Sequence, residues 1–174
     1  MRIVVSGTHA TGKSTLVSDF SLAHPEFAVL PDPFEFVDEG HGSGSLVAQL
    51  RISADRLLDP DLGGSVIAER GPLDFLAYLA ALDDLDRSPR AAELFRREAP
   101  LAAEAMAGVD LLVLLGLDDG ITVPEEEDPE LREAMDEALR ALTDDEELTG
   151  TARILELSGD PAARLAALEA ALRT

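Results

Sequence analysis

Residues 2–15 read Arg-Ile-Val-Val-Ser-Gly-Thr-His-Ala-Thr-Gly-Lys-Ser-Thr. A short apolar run, Arg2–Ser6, meets a glycine-bounded octapeptide, Gly7–Ser14, and a helix is predicted from Lys13 to about Ala23. The octapeptide fits the spacing G-x-x-x-x-G-K-[ST]. Its glycines let successive backbone N–H groups wrap an anion, and the start of the helix adds positive potential at the same point. An ammonium at Lys13 and a hydroxyl at Ser14 would complete a site for a phosphate chain and a divalent cation. The motif works only where a strand delivers a loop to a helix, so it constrains the architecture before any other residue is read.

The basic residues support that reading. Lys13 is the only Lys, and all the other basic residues are Arg. Ammonium and guanidinium differ in shape and hydration and do not interchange at a tight phosphate site. A GC-rich genome or a salt-adapted surface accounts for few Lys residues, but not for where the remaining one stands. The net charge of -21 argues against nucleic acid, which needs a basic track, and against an anionic membrane surface. With 46% hydrophobic and 28% charged residues in 174, the composition is that of a globular chain that fits one domain, 1–174. There is no Cys, hence no disulfide or thiolate chemistry, and three His leave little for a His-based metal site. No apolar run reaches the roughly 18 residues of a membrane span, and the N-terminal run is too short for a signal peptide. The expected location is cytoplasmic.

Strands are predicted at Arg2–Ser6, Phe27–Leu30, Ser65–Ala68, Leu111–Leu115 and Arg153–Leu157. Helical spacing falls at Lys13–Ala23, Leu46–Leu58, Pro72 to about Leu82, and Arg90–Ala107, the last with a kink or break at Pro100. Another helix follows Asp128, a fitting N-cap, with Leu131, Ala134, Met135, Ala138, Leu139 and Leu142 on one face. Asp160-Pro161 caps a final helix through about Leu172. Gly40–Ser45 reads as a flexible loop, and 118–130 as a polar, acidic segment able to act as a mobile lid. Alternating strands and helices imply a parallel sheet covered on both faces.

Several nucleotide-binding classes lack their signatures here. A guanine-reading Asn-Lys-x-Asp motif is impossible in a chain without Asn whose one Lys is already used. A Leu-Ser-Gly-Gly-Gln signature is absent, and the sole Gln is Gln49. Ring ATPases carry a further helical domain, for which the chain is short. In Ser65-Val-Ile-Ala-Glu69-Arg70-Gly-Pro72, an apolar strand ends in an acid–Arg pair. This segment resembles the Asp/Glu-Arg motif of the thymidylate kinase and deoxynucleoside kinase group of P-loop kinases. Pro-Leu-Asp-Phe-Leu-Ala-Tyr (72–78) resembles small bacterial P-loop kinase-like ATPases related to nicotinamide riboside kinase.

The resemblance implies an α/β P-loop NTPase fold, three layers (α/β/α) around a five-stranded parallel sheet of order 2-3-1-4-5. It implies ATP and Mg²⁺, with nucleotide bound by Gly7, Thr8, His9, Ala10, Thr11, Gly12, Lys13, Ser14 and Thr15. Ser14 and Glu69 would hold Mg²⁺, and Arg70 would contact phosphate or acceptor. A strand-end salt bridge is the plainer account of Glu69 and Arg70, but a charged pair directly after a buried strand, at the edge where such sheets bind ligands, favours function. Asp32-Pro33 resembles the Glu-Pro of deoxynucleoside kinases, which makes Asp32 a candidate base. Glu35 and Asp38 are neighbouring substitutes, and a Pro-Asp-Pro turn is the plainer reading. Lid arginines of this group stabilise the transferring phosphoryl; Arg132 is favoured over Arg140. Arg132, Asp136 and Arg140 also read as an ion-pair face at i, i+4 spacing. Gly159, Asp160 and Pro161 would lie where this group passes its adenine, or would simply cap a helix. Arg51 and Arg56 are candidates to face the acceptor.

One segment departs from the pattern. Relatives place Arg near Thr122, whereas 118–130 carries seven acids (Asp118, Asp119, Glu125, Glu126, Glu127, Asp128, Glu130) and no base. A carboxylate-rich lid repels a triphosphate unless a cation intervenes, which suits a cationic acceptor. The expected activity is ATP-dependent phosphoryl transfer to a small-molecule acceptor. The other reading is a nucleotide-switched ATPase or ATP-binding module without an acceptor.

Overall fold

The computed structural model describes residues 1–36, 42–117 and 128–173. Its elements in chain order are β1 (Arg2–Ser6), α1 (Lys13–Ala23), β2 (Phe27–Leu30), a 3₁₀ turn (Pro33–Phe36), α2 (Ser43–Leu58), β3 (Ser65–Glu69), α3 (Pro72–Asp84) and α4 (Ala91–Met106). There follow β4 (Leu111–Leu115), α5 (Pro129–Thr143), α6 (Glu146–Thr149), β5 (Arg153–Leu157) and α7 (Pro161–Ala171). The five strands form one parallel sheet of order β2-β3-β1-β4-β5.

Successive side chains of a strand point to opposite faces, and here both faces are apolar. Ile3 and Val5 of β1 join Ile67, Leu111, Val113 and Leu115 in a core closed by Leu16, Val17 and Phe20 of α1 and Leu168 of α7. Val4 points the other way, with Ala68, Leu112 and Leu114, into a larger core built from α2 to α6. That two-sided burial is why the central strands β1, β3 and β4 read as apolar runs rather than alternating ones. Helix α3 is buried nearly all round, packed against α2, α4 and α5. Its apolar surface is therefore core, not a face for a second copy. On α5, Met135 and Leu139 are buried and Leu131, Ala134, Ala138 and Leu142 pack beside them, as the 3.6-residue spacing requires.

Two local expectations need correction, and one short helix was not anticipated. Helix α2 begins at Ser43, inside the stretch read as a loop, because Ser45 and Leu46 already donate to Gly42 O. Burial of Leu46, Val47, Leu50, Ala54 and Leu57 on one face outweighs the weak helix preference of Gly and Ser. Helix α4 runs through Pro100 without a break. Pro100 is on the exposed face, where the carbonyl one turn back can turn to solvent. The short helix α6 has no apolar period to betray it; Asp145 caps it by accepting from Glu147 N–H. Among the described residues, no helix is long and apolar enough to cross a membrane.

Candidate active site

Strands β1, β3 and β4 end side by side, and their carboxyl ends deliver Ser6-Gly7, Glu69-Arg70 and Leu115-Gly116 to one edge of the sheet. A crevice at that edge is where open α/β sheets bind ligands. The loop after β1 turns tightly against it. A Cβ on Gly7 would stand 2.4 Å from the Leu115 carbonyl oxygen, so no other residue fits. Gly12 caps α1 at φ 87°, a left-handed backbone that turns the chain into the helix.

The outer side of this loop is ringed by cations. Arg70 Nη1 donates to Gly7 O at 3.0 Å, and Lys13 Nζ to Thr8 O at 2.6 Å. Arg132 Nε donates to His9 O at 2.9 Å and its Nη2 to Ala10 O at 3.1 Å. Arg164 Nη1 donates to Thr11 O at 2.6 Å. Each carbonyl from Gly7 to Thr11 thus accepts from a cationic side chain, and the donors come from α1, the β3–α3 junction, α5 and α7. Thr11 Oγ1 adds a bond to Thr8 O at 3.0 Å.

Lys13 is 4% exposed. Burial, with the Arg70 charge added, lowers its ammonium from the ordinary 10.5 to about 7, although Asp74, Asp32 and Glu69 pull the other way. One residue on, Ser14 Oγ donates to Glu69 Oε1 at 2.5 Å. The hydroxyl and carboxylate form a pair of oxygen donors at the end of β3, the hard ligands that Mg²⁺ prefers. Among the described residues there is no group of three or more His, Cys, Asp or Glu placed to hold a metal ion.

Arg70 has φ 64°, a strained value for a residue with a Cβ. This backbone follows the bond from Arg70 N–H to Val5 O and sends the side chain back under the loop. There Arg70 Nε donates to Asp32 Oδ2 at 2.8 Å, and Nη1 lies 3.6 Å from Asp74 Oδ1. Asp32 Oδ1 accepts from Phe34 N–H at 3.0 Å. The plain turn anticipated for Pro-Asp-Pro is present, and the same carboxylate also pairs with Arg70. The guanidinium carbon sits 5.0 Å over the Phe34 ring and 5.9 Å from that of Tyr78. The His9 ring completes this wall, 5.1 Å from Phe34 and 5.6 Å from Tyr78, with Nδ1 3.4 Å from Arg70 Nη2.

These groups line a cleft of about 350 Å³ bounded by residues 9–15, Asp32, Glu69 and Arg70. A second cavity of about 130 Å³ lies beside it at the ends of β4 and β5. Leu114, Gly116, Leu117, Arg140, Glu156, Leu157, Ser158 and Arg164 line that one. Gly159, Asp160 and Pro161 line neither; Asp160 caps α7 by accepting from Ala163 N–H.

Other expected residues part company. Arg140 pairs with Asp136 at 3.0 Å and Glu156 at 2.9 Å, whereas Arg132 turns to the loop instead of joining that face. Arg51 makes a two-point bond to Glu98 on α4, and Arg56 donates to Pro31 O. Arg51 is thus tied to a helix and not to the cleft. Asp38 and the acidic stretch 118–127 lie outside the described residues, as do Gly40 and the position of Thr122. Of the acidic segment's remainder, Asp128 caps α5 and pairs, as does Glu130, with Arg87.

No protein-family model matches the sequence, and no curated protein does. Solved structures do. A deoxyadenosine kinase from M. mycoides, with bound dATP, matches at TM-score 0.74 and 13% identity over 100% of both chains. Thymidylate kinase from Candida albicans matches at TM-score 0.68 and 16% identity, over 99% of this chain and 90% of that one. Thymidylate kinase from Ehrlichia chaffeensis matches at TM-score 0.62 and 12% identity, over 100% and 98%. The chain has the fold of the P-loop nucleoside and nucleotide kinases.

Within that kinase fold, two site residues escaped the reading of the sequence. Asp74 is fully buried and accepts from Ser6 Oγ at 2.5 Å, Gly7 N–H at 2.9 Å and Gly71 N–H at 2.9 Å. It joins the loop after β1 to the turn after β3. Burial raises its carboxyl, with Arg70, Ser6 and Gly7 opposing. Its place in the first turn of α3 resembles an ordinary cap, which hid the second attachment. Arg164 carried a clue: a cation near the N-terminus of a helix opposes the macrodipole and needs another reason to be there.

Proposed function

We propose that the protein is a kinase that transfers the γ-phosphoryl group of ATP to a small-molecule acceptor of the nucleoside or nucleotide kind, with Mg²⁺. One observation carries the reading. The Ser14–Glu69 oxygen pair, the Lys13 ammonium and the Asp32–Arg70 pair all border one cleft at the carboxyl edge of the sheet. Donor-phosphate groups and a carboxylate–guanidinium pair thus face the same volume, as an in-line transfer needs.

In this reading the loop N–H groups and Lys13 hold the phosphates. Ser14 and Glu69 would hold Mg²⁺, whose chemistry there is to offset phosphate charge. Asp32 takes the proton of the acceptor hydroxyl as its oxygen bonds to the γ-phosphorus and the bond to the β–γ bridging oxygen breaks, releasing ADP. Each Asp32 oxygen has one hydrogen bond from the protein, which leaves lone-pair capacity for that hydroxyl. Arg70 holds Asp32 in place. Arg132, held on the loop carbonyls, would exchange them for a developing charge. The likeness to a deoxyadenosine kinase and to thymidylate kinases supports a nucleoside or nucleotide acceptor.

The engagement of both Asp32 oxygens also suits the second reading, a nucleotide-switched ATPase without acceptor. The deciding experiment is ADP release from Mg-ATP with and without pooled nucleosides, nucleotides and amine-bearing metabolites, with K13A as control. A burst with one pool, lost in K13A, is the expected result. Slow release indifferent to every pool would favour the switch. Unchanged turnover in a folded K13A protein would remove both.

A further inference from the structure

A trans peptide carries its C=O and N–H on opposite edges of one plane, and the chain has no cis peptide among the described residues. A donor that fixes the carbonyl of one residue therefore aims the N–H of the next. Arg164 fixes Thr11 O, so the trans peptide points the Gly12 N–H away from Arg164. The other four carbonyls are held by Arg70, Lys13 and Arg132. Lys13 and Arg132 have other work in the proposed reaction and would leave their carbonyls when phosphate arrives. Arg164 is different. It is 4% exposed and comes from the far end of the chain, 153 residues from Thr11. It also lines the neighbouring cavity of about 130 Å³. A buried guanidinium near the N-terminus of α7 is costly, and its 2.6 Å bond to the loop offsets part of that cost.

We infer that Arg164 is a positioning residue for phosphate binding: through Thr11 O it holds the Thr11–Gly12 peptide with its N–H aimed at the phosphate chain. The inference rests on the reading of Gly7–Ser14 as a nucleotide site. It predicts that Arg164 matters to any polyphosphate, with or without a base attached, because its effect passes through the backbone of the loop.

The test is titration calorimetry of wild type, R164M and R164K with Mg-ATP and with magnesium tripolyphosphate, with a melting curve for each protein. Loss of a charge-assisted bond that orients a binding group is expected to weaken both ligands in R164M, to a similar degree, by about ten- to a hundredfold. R164K, which still carries a donor, is expected to recover part of that loss. Weakened ATP with unchanged tripolyphosphate would make Arg164 a base contact and overturn the inference. A lowered melting point with both affinities unchanged would make it a structural tether and overturn it too. A wild-type protein that binds neither ligand refutes the loop reading itself, and the inference with it. Should R164M not fold, R164Q, too short to reach Thr11 O, is judged by the same two affinities.

Discussion

Arg70 Nε and Asp32 Oδ2 meet at 2.8 Å, from the end of β3 and the turn after β2. The Arg70 side chain is 2% exposed and that of Asp32 15%. One partner of a buried pair cannot be removed without stranding the other charge. D32N keeps the shape and one acceptor but removes the charge. Acceptor-dependent ADP release is expected to fall by about 10²- to 10⁴-fold, the usual share of a general base. In a double-mutant cycle with R70M, the two losses should be strongly non-additive in melting temperature. Additive losses would mean that the pair does not act as a unit.

Lys13 makes phosphate binding sensitive to pH. Its ammonium is lowered to about 7 in the nucleotide-free protein, first by burial and then by Arg70. Phosphate bound against it favours the charged form, so binding above pH 7 must draw in a proton. Calorimetry at pH 8 in buffers of differing ionisation enthalpy should report uptake of most of one proton. Affinity should weaken as pH rises from about 7. The effect on stability has the opposite slope. The unfolded chain holds this proton up to about 10.5 and the folded one only to about 7. Between those values the unfolded state binds more protons, and this group makes folding more favourable as pH rises. Binding without proton uptake at pH 8 would contradict the assigned state of Lys13.

Glu69 tests the metal. Ser14 Oγ and Glu69 Oε1 are 2.5 Å apart, and E69Q leaves an amide where an anionic ligand or water-holder stood. Mg²⁺ affinity in the presence of ADP is expected to drop about 10- to 100-fold. Metal-free ADP binding should change little. Equal Mg²⁺ titrations for E69Q and wild type would take Glu69 out of the metal site.

Asp74 tests how the loop is anchored. Its carboxylate accepts from two backbone N–H groups and the Ser6 hydroxyl in a fully buried position. In D74N the amide NH₂ must face at least one of those donors, which costs about 1–3 kcal/mol. For a chain of this length that corresponds to a melting temperature lower by roughly 2–12 °C. An unchanged melting curve would show that Asp74 is not the tie that its hydrogen bonds describe.

Much of this molecule was legible residue by residue. The central strands β1, β3 and β4 were readable because two-sided burial writes each as an apolar run; the edge strands β2 and β5 are more exposed, and β5 carries Arg153 and Glu156, yet all five were placed within one residue of their observed bounds. Helix α5 announced itself through its apolar spacing and through Asp128-Pro129. The sheet order came from a likeness to known kinases and agrees with the one observed. Pro100 misled, because a proline in a helix is judged by which face it occupies, and the sequence does not say which face is wet.

The sequence by itself determined what local chemistry determines: a strand, a glycine-bounded turn, a lone Lys and Ser at the start of a helix, and an acid–Arg pair after β3. These depend on neighbours within a few bonds. Only the tertiary structure decided which cation answers each loop carbonyl. Arg132 lies 123 residues from His9, and Arg164 lies 153 residues from Thr11. Nothing in their local sequence distinguishes them from the arginines that pair with Glu98 or Glu156. Their partners follow from how α5 and α7 pack on the sheet, because a guanidinium acts only over a few ångströms and packing alone brings it there.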